Sequence, residues 1–290
     1  MEAARHVLVT GANKGIGLSI AKGALAAGCH VFLGSRDVGR GEAAAAALVE
    51  GNAEAEGRVT VVQLDVCDRA SVAAAVTAVA AKTDSLYALV NNAGGGASMS
   101  YIDRTTLDST LALNLFSVQS VCTAFLPLLL AGGGGRIVMV GSGAGPSFVE
   151  KCDDSHRATL NSPAITWEDI AGFCGEAYRV AVAVDAGGLD AKAAHAAAGL
   201  GDGGSYGLSK ALLTSVGIFT LSHPPLPQVH PCPRTHPPLP TRRRCSGSTR
   251  CCWPGRTPAS PAPAVRPASS RPTSPAPSPP PWARPLRIWA

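Results

Sequence analysis

From residue 221 to the end of its 290 residues the chain contains no aspartate, no glutamate and no lysine. The same stretch holds ten arginines and 20 of the 23 prolines. Proline at that density excludes helix and central strand, because each one fixes φ and removes a backbone donor. With no apolar periodicity either, residues 221–290 read as a disordered tail with stretches of polyproline II. All 20 acidic residues lie in residues 1–220, against 15 of the 25 lysines and arginines, so that part is net −5 and the +5 of the whole chain comes from the tail. The global charge therefore gives no reason to expect nucleic acid as a partner. Two accounts of the tail stand open: a basic Pro/Arg segment that engages SH3-like modules or polyanions, or out-of-frame or intron-derived translation of a GC-rich gene.

Metal-ligand spacing is also missing. Cys29, Cys67, Cys122, Cys152 and Cys174 form no C-x-x-C or Cys/His pattern, which predicts no metal and suits reduced thiols in a cytoplasmic, reducing compartment. The tail's Cys232, Cys245, Cys251 and Cys252, with His230 and His236, are not expected to hold a metal. No long apolar run marks a membrane span, since Leu126 to Leu130 is short and broken by Pro127. No targeting segment is evident, because the N-terminus runs directly into a strand pattern.

What is present in residues 1–220 is an alternation of apolar strand runs and helical patterns. Strands are expected near 6–10, 29–34, 59–64, 86–91 and 136–141, and helices near 15–27, 39–50, 69–82, 103–130 and 205–220. That order predicts an α/β fold, a Rossmann-type doubly wound parallel sheet in one domain over 1–220, truncated after its fifth strand. The strand at 136–141 would then be an uncovered apolar edge.

Four segments carry chemistry. Val7 to Gly17 joins a strand to a helix through Gly11, Gly15 and Gly17. Gly11 lets the chain turn, Gly15 lets backbone approach a pyrophosphate on the helix N-terminus, and Gly17 lets helix pack on strand. Leu86 to Gly94 is a strand ending in Asn91-Asn92-Ala93-Gly94, and Arg136 to Ser142 is a strand delivering a hydroxyl. Both end at the carboxyl edge of the sheet, where open α/β sheets bind ligands. Finally, Tyr206 and Lys210 are four residues apart, on one face of a helix. An ammonium beside a phenol favours the phenolate and suits the phenol to proton transfer near neutral pH.

In this order, the Thr10 to Gly17 loop, Asn91 to Gly94, Ser142 and Tyr206-x-x-x-Lys210 resemble the short-chain dehydrogenase/reductase family over residues 5 to 220. The resemblance implies hydride transfer between a nicotinamide and a carbonyl or alcohol. It implies Tyr206 as proton donor to the substrate oxygen, Ser142 as its hydrogen-bond partner, Lys210 on the nicotinamide ribose, and Asn114 as the asparagine that anchors a water in the proton relay. The dinucleotide would be held by Gly11, Asn13, Lys14, Gly15, Ile16 and Gly17, with Asn92, Ala93 and Gly94, and by Tyr206 and Lys210. Asp65 and Val66 would meet the adenine; Asp65 also reads as a carboxylate near a helix N-cap.

The second strand ends in Ser35-Arg36 with no carboxylate for a ribose diol, so Arg36 and Lys14 are expected to grip a 2′-phosphate and the cofactor is expected to be NADP(H). The 64 residues from Ser142 to Tyr206 include an insertion, 146–203, which resembles that of the carbonyl reductase and plant menthol/salutaridine reductase subgroup. In that subgroup the insertion implies a monomer acting on a small-molecule carbonyl. Thr166 and Asp169 suggest a capping box, and the Gly/Ala-rich run 187–204 a mobile lid. The family continues past its Tyr-Lys helix with a further strand, a Pro-Gly turn, a helix and another strand. None is legible here, so the alternative is an NADP-binding or interaction protein of impaired catalysis.

Overall fold

Parallel pairing organises the chain. β1 (His6–Val9) lies between β2 (His30–Ser35) and β4 (Ala88–Asn91); β3 (Val59–Gln63) flanks β2, and β5 (Arg136–Met139) flanks β4. A computed structural model describes residues 4–50, 52–96, 104–131, 135–187, 190–201, 204–222 and 287–289. The strand order reverses at β1, so the carboxyl ends of β1 and β4 open the crevice in which such sheets bind ligands. The five expected strands are thus present and in doubly wound order.

Strand alternation sends side chains to two faces, both buried. Leu8, Phe32, Leu89 and Ile137 lie on one, packed with α3 (Arg69–Ala80), α4 (Arg104–Leu111), α5 (Ser117–Ala131) and the helices that follow β5. Val7, Val9, Val31, Leu33, Ala88 and Val90 lie on the other, under α1 (Gly15–Ala26) and α2 (Val38–Val49). The near-continuous apolar runs follow from this double burial. Acidic caps begin several helices: Asp37 accepts from Arg40 N at 2.9 Å for α2, and Asp68 from Ala70 N at 3.0 Å for α3.

Four expectations are corrected. β5 does not end the sheet: a sixth parallel strand, β6 (Arg287–Trp289), pairs with it in the register Arg136↔Arg287 to Val138↔Trp289, so the apolar edge has a backbone partner. The rest of the tail, 223–286, lies outside the described residues. The single expected helix 103–130 contains a π turn, Ala112–Phe116, between α4 and α5. Within this continuous helix, Arg104–Ala131, an 18-residue stretch has a mean hydropathy of 1.7, so the helix is long and apolar enough to cross a membrane by length and composition, yet half of that stretch is buried, as in a core helix. The reading from Leu126–Leu130 alone was too short.

The fourth correction concerns the insertion, which is largely helical: α6 (Ala144–Lys151), α7 (Asp154–Leu160), α8 (Trp167–Asp185) and α9 (Ala191–Ala197) precede α10 (Ser205–Ser222). The segment expected as a loose lid contains α9, capped by Asp190, and buries Ala194, His195 and Leu200. At α8 the capping box is complete, with Thr166 N donating to Asp169 Oδ2 at 2.8 Å and Asp169 N to Thr166 Oγ1 at 3.1 Å.

Candidate active site

The first strand ends in a clamp. Thr10 Oγ1 donates to Val90 O at 3.3 Å and accepts from Asn92 N at 3.0 Å and Ala93 N at 2.9 Å. The Asn92 amide returns the contact, donating to Thr10 O at 2.9 Å and Gly11 O at 3.2 Å. These bonds pin the ends of β1 and β4 at the strand-order switch, so the Asn92 side chain is committed to the loop itself. Gly11 and Gly15 have φ of 61° and 56°, a region costly to residues with a Cβ. A Cβ on Gly11 would stand 3.0 Å from Ala93 Cα, whereas one on Gly15 would meet nothing within 4 Å. Gly17 is the packing glycine: a Cβ there would overlap the Asn92 amide and lie 2.7 Å from Gly11 O.

Asn13 is half-buried, and Lys14, Gly15 and Ile16 are exposed along the loop. α1 has no side-chain N-cap bond at Lys14 and no acid in its first turn, so its leading N–H groups face the loop mouth without a side-chain acceptor. Beside this, Arg36 is exposed at the end of β2, followed by the capping Asp37. Asp65 does not cap α3. Its Oδ1 accepts from Cys67 N at 3.0 Å in the turn ahead of that helix, its own N–H donates to Ser71 Oγ at 2.9 Å, and Val66 is buried next to it. The N-cap role falls to Asp68.

The second cluster is built around Asn114, buried in the π turn. Its Oδ1 accepts from Gly95 N at 3.0 Å, and its Nδ2 donates to Gly95 O at 2.8 Å and to Ser209 Oγ at 2.9 Å. One amide thus reads both backbone polar groups of a single residue, Gly95, while touching α10. The flanking glycines are sterically required. A Cβ on Gly94 would lie 3.0 Å from Asn114 Oδ1 and 3.5 Å from Lys210 Nζ, and one on Gly96 would lie 2.5 Å from Tyr206 Cδ2. Gly95, Gly96, Ser209 and Thr10 were missed as site residues. The run Gly94-Gly95-Gly96 was the available signal, but nothing in the sequence marks the π turn that aims Asn114.

α10 brings the remaining groups together. Lys210 is buried, its Nζ donating to Val140 O at 2.9 Å and lying 5.8 Å from the Tyr206 ring centroid. Burial pushes its ammonium below the ordinary lysine range. α6 crosses α10 backbone to backbone: a Cβ on Gly145 would lie 3.0 Å from Lys210 O, and one on Gly207 3.2 Å from Ala144 O. Half-buried Ser142 leads into α6, its Oγ accepting from Ala144 N at 3.2 Å. The two glycine contacts are what seat the segment after β5 against the Tyr206–Lys210 turn. Asn114, Lys210 and the Tyr206 ring thus converge on the Gly94–Gly96 backbone beyond β4, and Lys210 also reaches Val140 O just beyond β5.

A sequence profile described as short chain dehydrogenase matches residues 5–151. The chain belongs to the short-chain dehydrogenase family. Within that family, carbonyl reductase (NADPH) 1 of Pongo abelii is 34% identical over 184 residues, 60% of this chain and 62% of the relative. The match therefore spans less than two thirds of that relative's length. The 2-(S)-hydroxypropyl-CoM dehydrogenase 3 of Xanthobacter autotrophicus is 38% identical over 180 residues, 60% of this chain and 68% of the relative. Among solved structures, menthone neomenthol reductase from Mentha piperita superposes with a TM-score of 0.63 at 28% identity, covering 74% of this chain and 84% of that one.

Proposed function

We propose that this short-chain dehydrogenase reduces the carbonyl of a small ketone or aldehyde to an alcohol, with NADPH as cofactor. The observation that carries the reading is the convergence of Tyr206, Lys210, Asn114 and the Gly94–Gly96 backbone at one sheet edge, beside a glycine loop with an uncapped helix N-terminus. That loop fits a dinucleotide: the space above Gly15 is open, and the leading N–H groups of α1 are placed to receive a pyrophosphate. Gly11, Asn13, Lys14, Gly15, Ile16 and Gly17 would hold it, with Asn92, Ala93 and Gly94 beneath. Asp65 and Val66 would border the adenine, and Arg36, helped by Lys14, would take the 2′-phosphate. The NADPH-named relative supports that choice of cofactor.

When bound, the nicotinamide supplies the hydride that adds to the carbonyl carbon. Tyr206 gives its phenolic proton to the carbonyl oxygen, and Ser142 donates a hydrogen bond to the same oxygen. Lys210 stabilises the phenolate left behind and, turned from Val140 O, contacts the ribose. Asn114 holds the relay side of the site. We further infer a cytoplasmic monomer. Tyr178 of α8 donates to the Asp108 carboxylate of α4, so the insertion covers part of that helix. Four of the five cysteines in residues 1–220 are buried, which suits a reducing compartment.

The test is NADPH fluorescence on mixing, followed by turnover of a quinone or aromatic aldehyde. Tyr206→Phe should lower turnover by roughly 10²–10⁴ while NADPH still binds, the range for losing a general acid. A second reading, an NADP-binding protein of impaired catalysis, is favoured by one observation: Val138 of β5 and Val140 just after it stay half-buried on the α1/α2 face. NADPH binding with no turnover of any carbonyl in the full chain would select it.

A further inference from the structure

The geometry points to Ser209 as a positioning residue that ties Asn114 to the Tyr206 turn of α10. The inference rests on the reduction reading above. Ser209 lies three residues after Tyr206 and one before Lys210, and it is fully buried. Its hydroxyl has one proton, which goes to Tyr206 O at 2.8 Å, leaving an oxygen lone pair for Asn114 Nδ2 at 2.9 Å. A serine bonded back to a carbonyl of its own helix gains that helix little. Here the back-bond fixes the Oγ rotor, so the lone pair faces the π turn.

The consequence follows from the valences of Asn114. Its two amide hydrogens go to Gly95 O and Ser209 Oγ, and its oxygen takes Gly95 N–H. With the Ser209 hydroxyl removed, one buried amide hydrogen loses its acceptor, and a buried donor left unsatisfied is costly. The amide then has reason to turn away from Gly95. The Gly95 peptide sits between the two glycines that abut Lys210 Nζ and the Tyr206 ring. Loosening it alters the spacing of both groups although Ser209 touches no reacting atom.

Ser209→Ala in the full chain should speed hydrogen exchange at the Gly95 amide by about tenfold, the factor expected for one lost net hydrogen bond. It should lower kcat by about the same factor and change KM for NADPH by less, because the glycine loop and Arg36 do not touch Ser209. Ser209→Thr keeps the hydroxyl and should restore both. Added to Asn114→Ala, Ser209→Ala should cause no further loss, the non-additivity of residues acting through one another. Wild-type exchange at Gly95 in Ser209→Ala, or fully additive losses in the double variant, would overturn the tether. Should the alanine variant not fold, Ser209→Cys decides: its thiol is a poor acceptor, so slowed turnover relative to Ser209→Thr supports the tether and equal turnover removes it. If the wild-type chain reduces no carbonyl but Gly95 exchange still responds to Ser209→Ala and is restored by Ser209→Thr, the tether stands and the reduction reading falls.

Discussion

On one face of the sheet, Leu8, Phe32, Leu89 and Ile137 lie beneath side chains from α3 through α10; on the other, among the described residues, α1 and α2 supply the packed helical side chains, and Val138 of β5 and Val140 just after it stay half-buried. A parallel sheet is expected to be covered on both faces. The thick face carries Asn114, Tyr206, Lys210 and the α6–α10 crossing; Asn114 and Lys210 are buried there and Tyr206 is half-buried. The thin face carries the glycine loop and Arg36, which must stay open to a ligand. Among the described residues, coverage there thins towards β5, the strand whose carboxyl end Lys210 reaches through Val140 O. The two faces therefore separate two demands, rigid placement and access, and their difference can be measured.

The largest expected effect is on stability. Leu89→Ala removes a fully buried side chain from the thick face and should cost about 2–5 kcal/mol of unfolding free energy. Val138→Ala, on the same sheet but half-buried on the thin face, should cost about 1 kcal/mol or less, since less apolar surface leaves a packed environment. Urea unfolding of the two variants compares the faces directly. Equal losses would show that the thin face is as well covered at β5 as the thick one.

Next comes Gly96→Ala. The added methyl would stand 2.5 Å from Tyr206 Cδ2 and 3.0 Å from Cγ, so the ring or the loop must move. A displacement approaching 1 Å should lower kcat by about tenfold to a hundredfold, while Arg36 and the glycine loop keep NADPH affinity near that of wild type. Steady-state kinetics with a fixed aldehyde and varied NADPH separates the two. A change confined to KM for NADPH would move Gly96 out of the Tyr206 environment.

On the thin face, Arg36→Asp exchanges a cation suited to a 2′-phosphate for an acceptor suited to a ribose diol. The ratio of NADP to NAD affinity should fall by about tenfold or more, the worth of one charge-assisted hydrogen bond. Fluorescence titration with both reduced cofactors checks it. An unchanged ratio would remove Arg36 from the phosphate site.

How far the sequence foretold this molecule depends on the range of the interactions involved. The glycine loop was legible because its backbone constraints are local: Gly11 and Gly15 adopt positive φ, and a Cβ on Gly17 would lie 2.7 Å from Gly11 O. Tyr206 and Lys210 were legible because one helix presents them together. Asn114 was placed by its position after the Asn-Asn-Ala-Gly strand, but the π turn and the bonds to Gly95 and Ser209 span 19 and 95 residues, and no local pattern encodes them. The α9 helix was hidden for the opposite reason. Its Ala/Gly composition reads as loop, yet it packs on α8 and buries Ala194 and His195, with Leu200 just beyond its end. β6 was invisible in a tail whose composition argues against strand.

The smallest expected effect lies in the outer layer of the thick face, where His156 joins α7 to α8. Its Nδ1 meets Asp153 Oδ1 at 2.7 Å and its Nε2 meets Glu176 Oε2 at 3.0 Å, while Asp153 N donates to Gly199 O at 3.0 Å, joining the turn after α9. Burial works against charge on His156, but the Glu176 and Asp153 carboxylates outweigh it and hold the imidazole above its ordinary value of 6.5. Asp153 is held below the ordinary carboxylate value, first by the His156 backbone N–H and then by its ring. A raised histidine contributes stability that is fully present below its unfolded value and is lost as pH rises through the folded one. The lowered Asp153 contributes above its unfolded value and is lost as pH falls through the folded one. The junction should therefore be tightest between about pH 4 and 6.5 and loosen as the pH rises through the raised value of His156. The effect should be modest, since the side chains of Asp153 and Glu176 are 49% and 31% exposed and water screens the pairs. Melting temperature followed by near-ultraviolet circular dichroism from pH 5 to 9 should show a decline in the wild type that flattens in His156→Gln. Parallel pH profiles for the two proteins would mean that His156 carries no charge-dependent share of the insertion's packing.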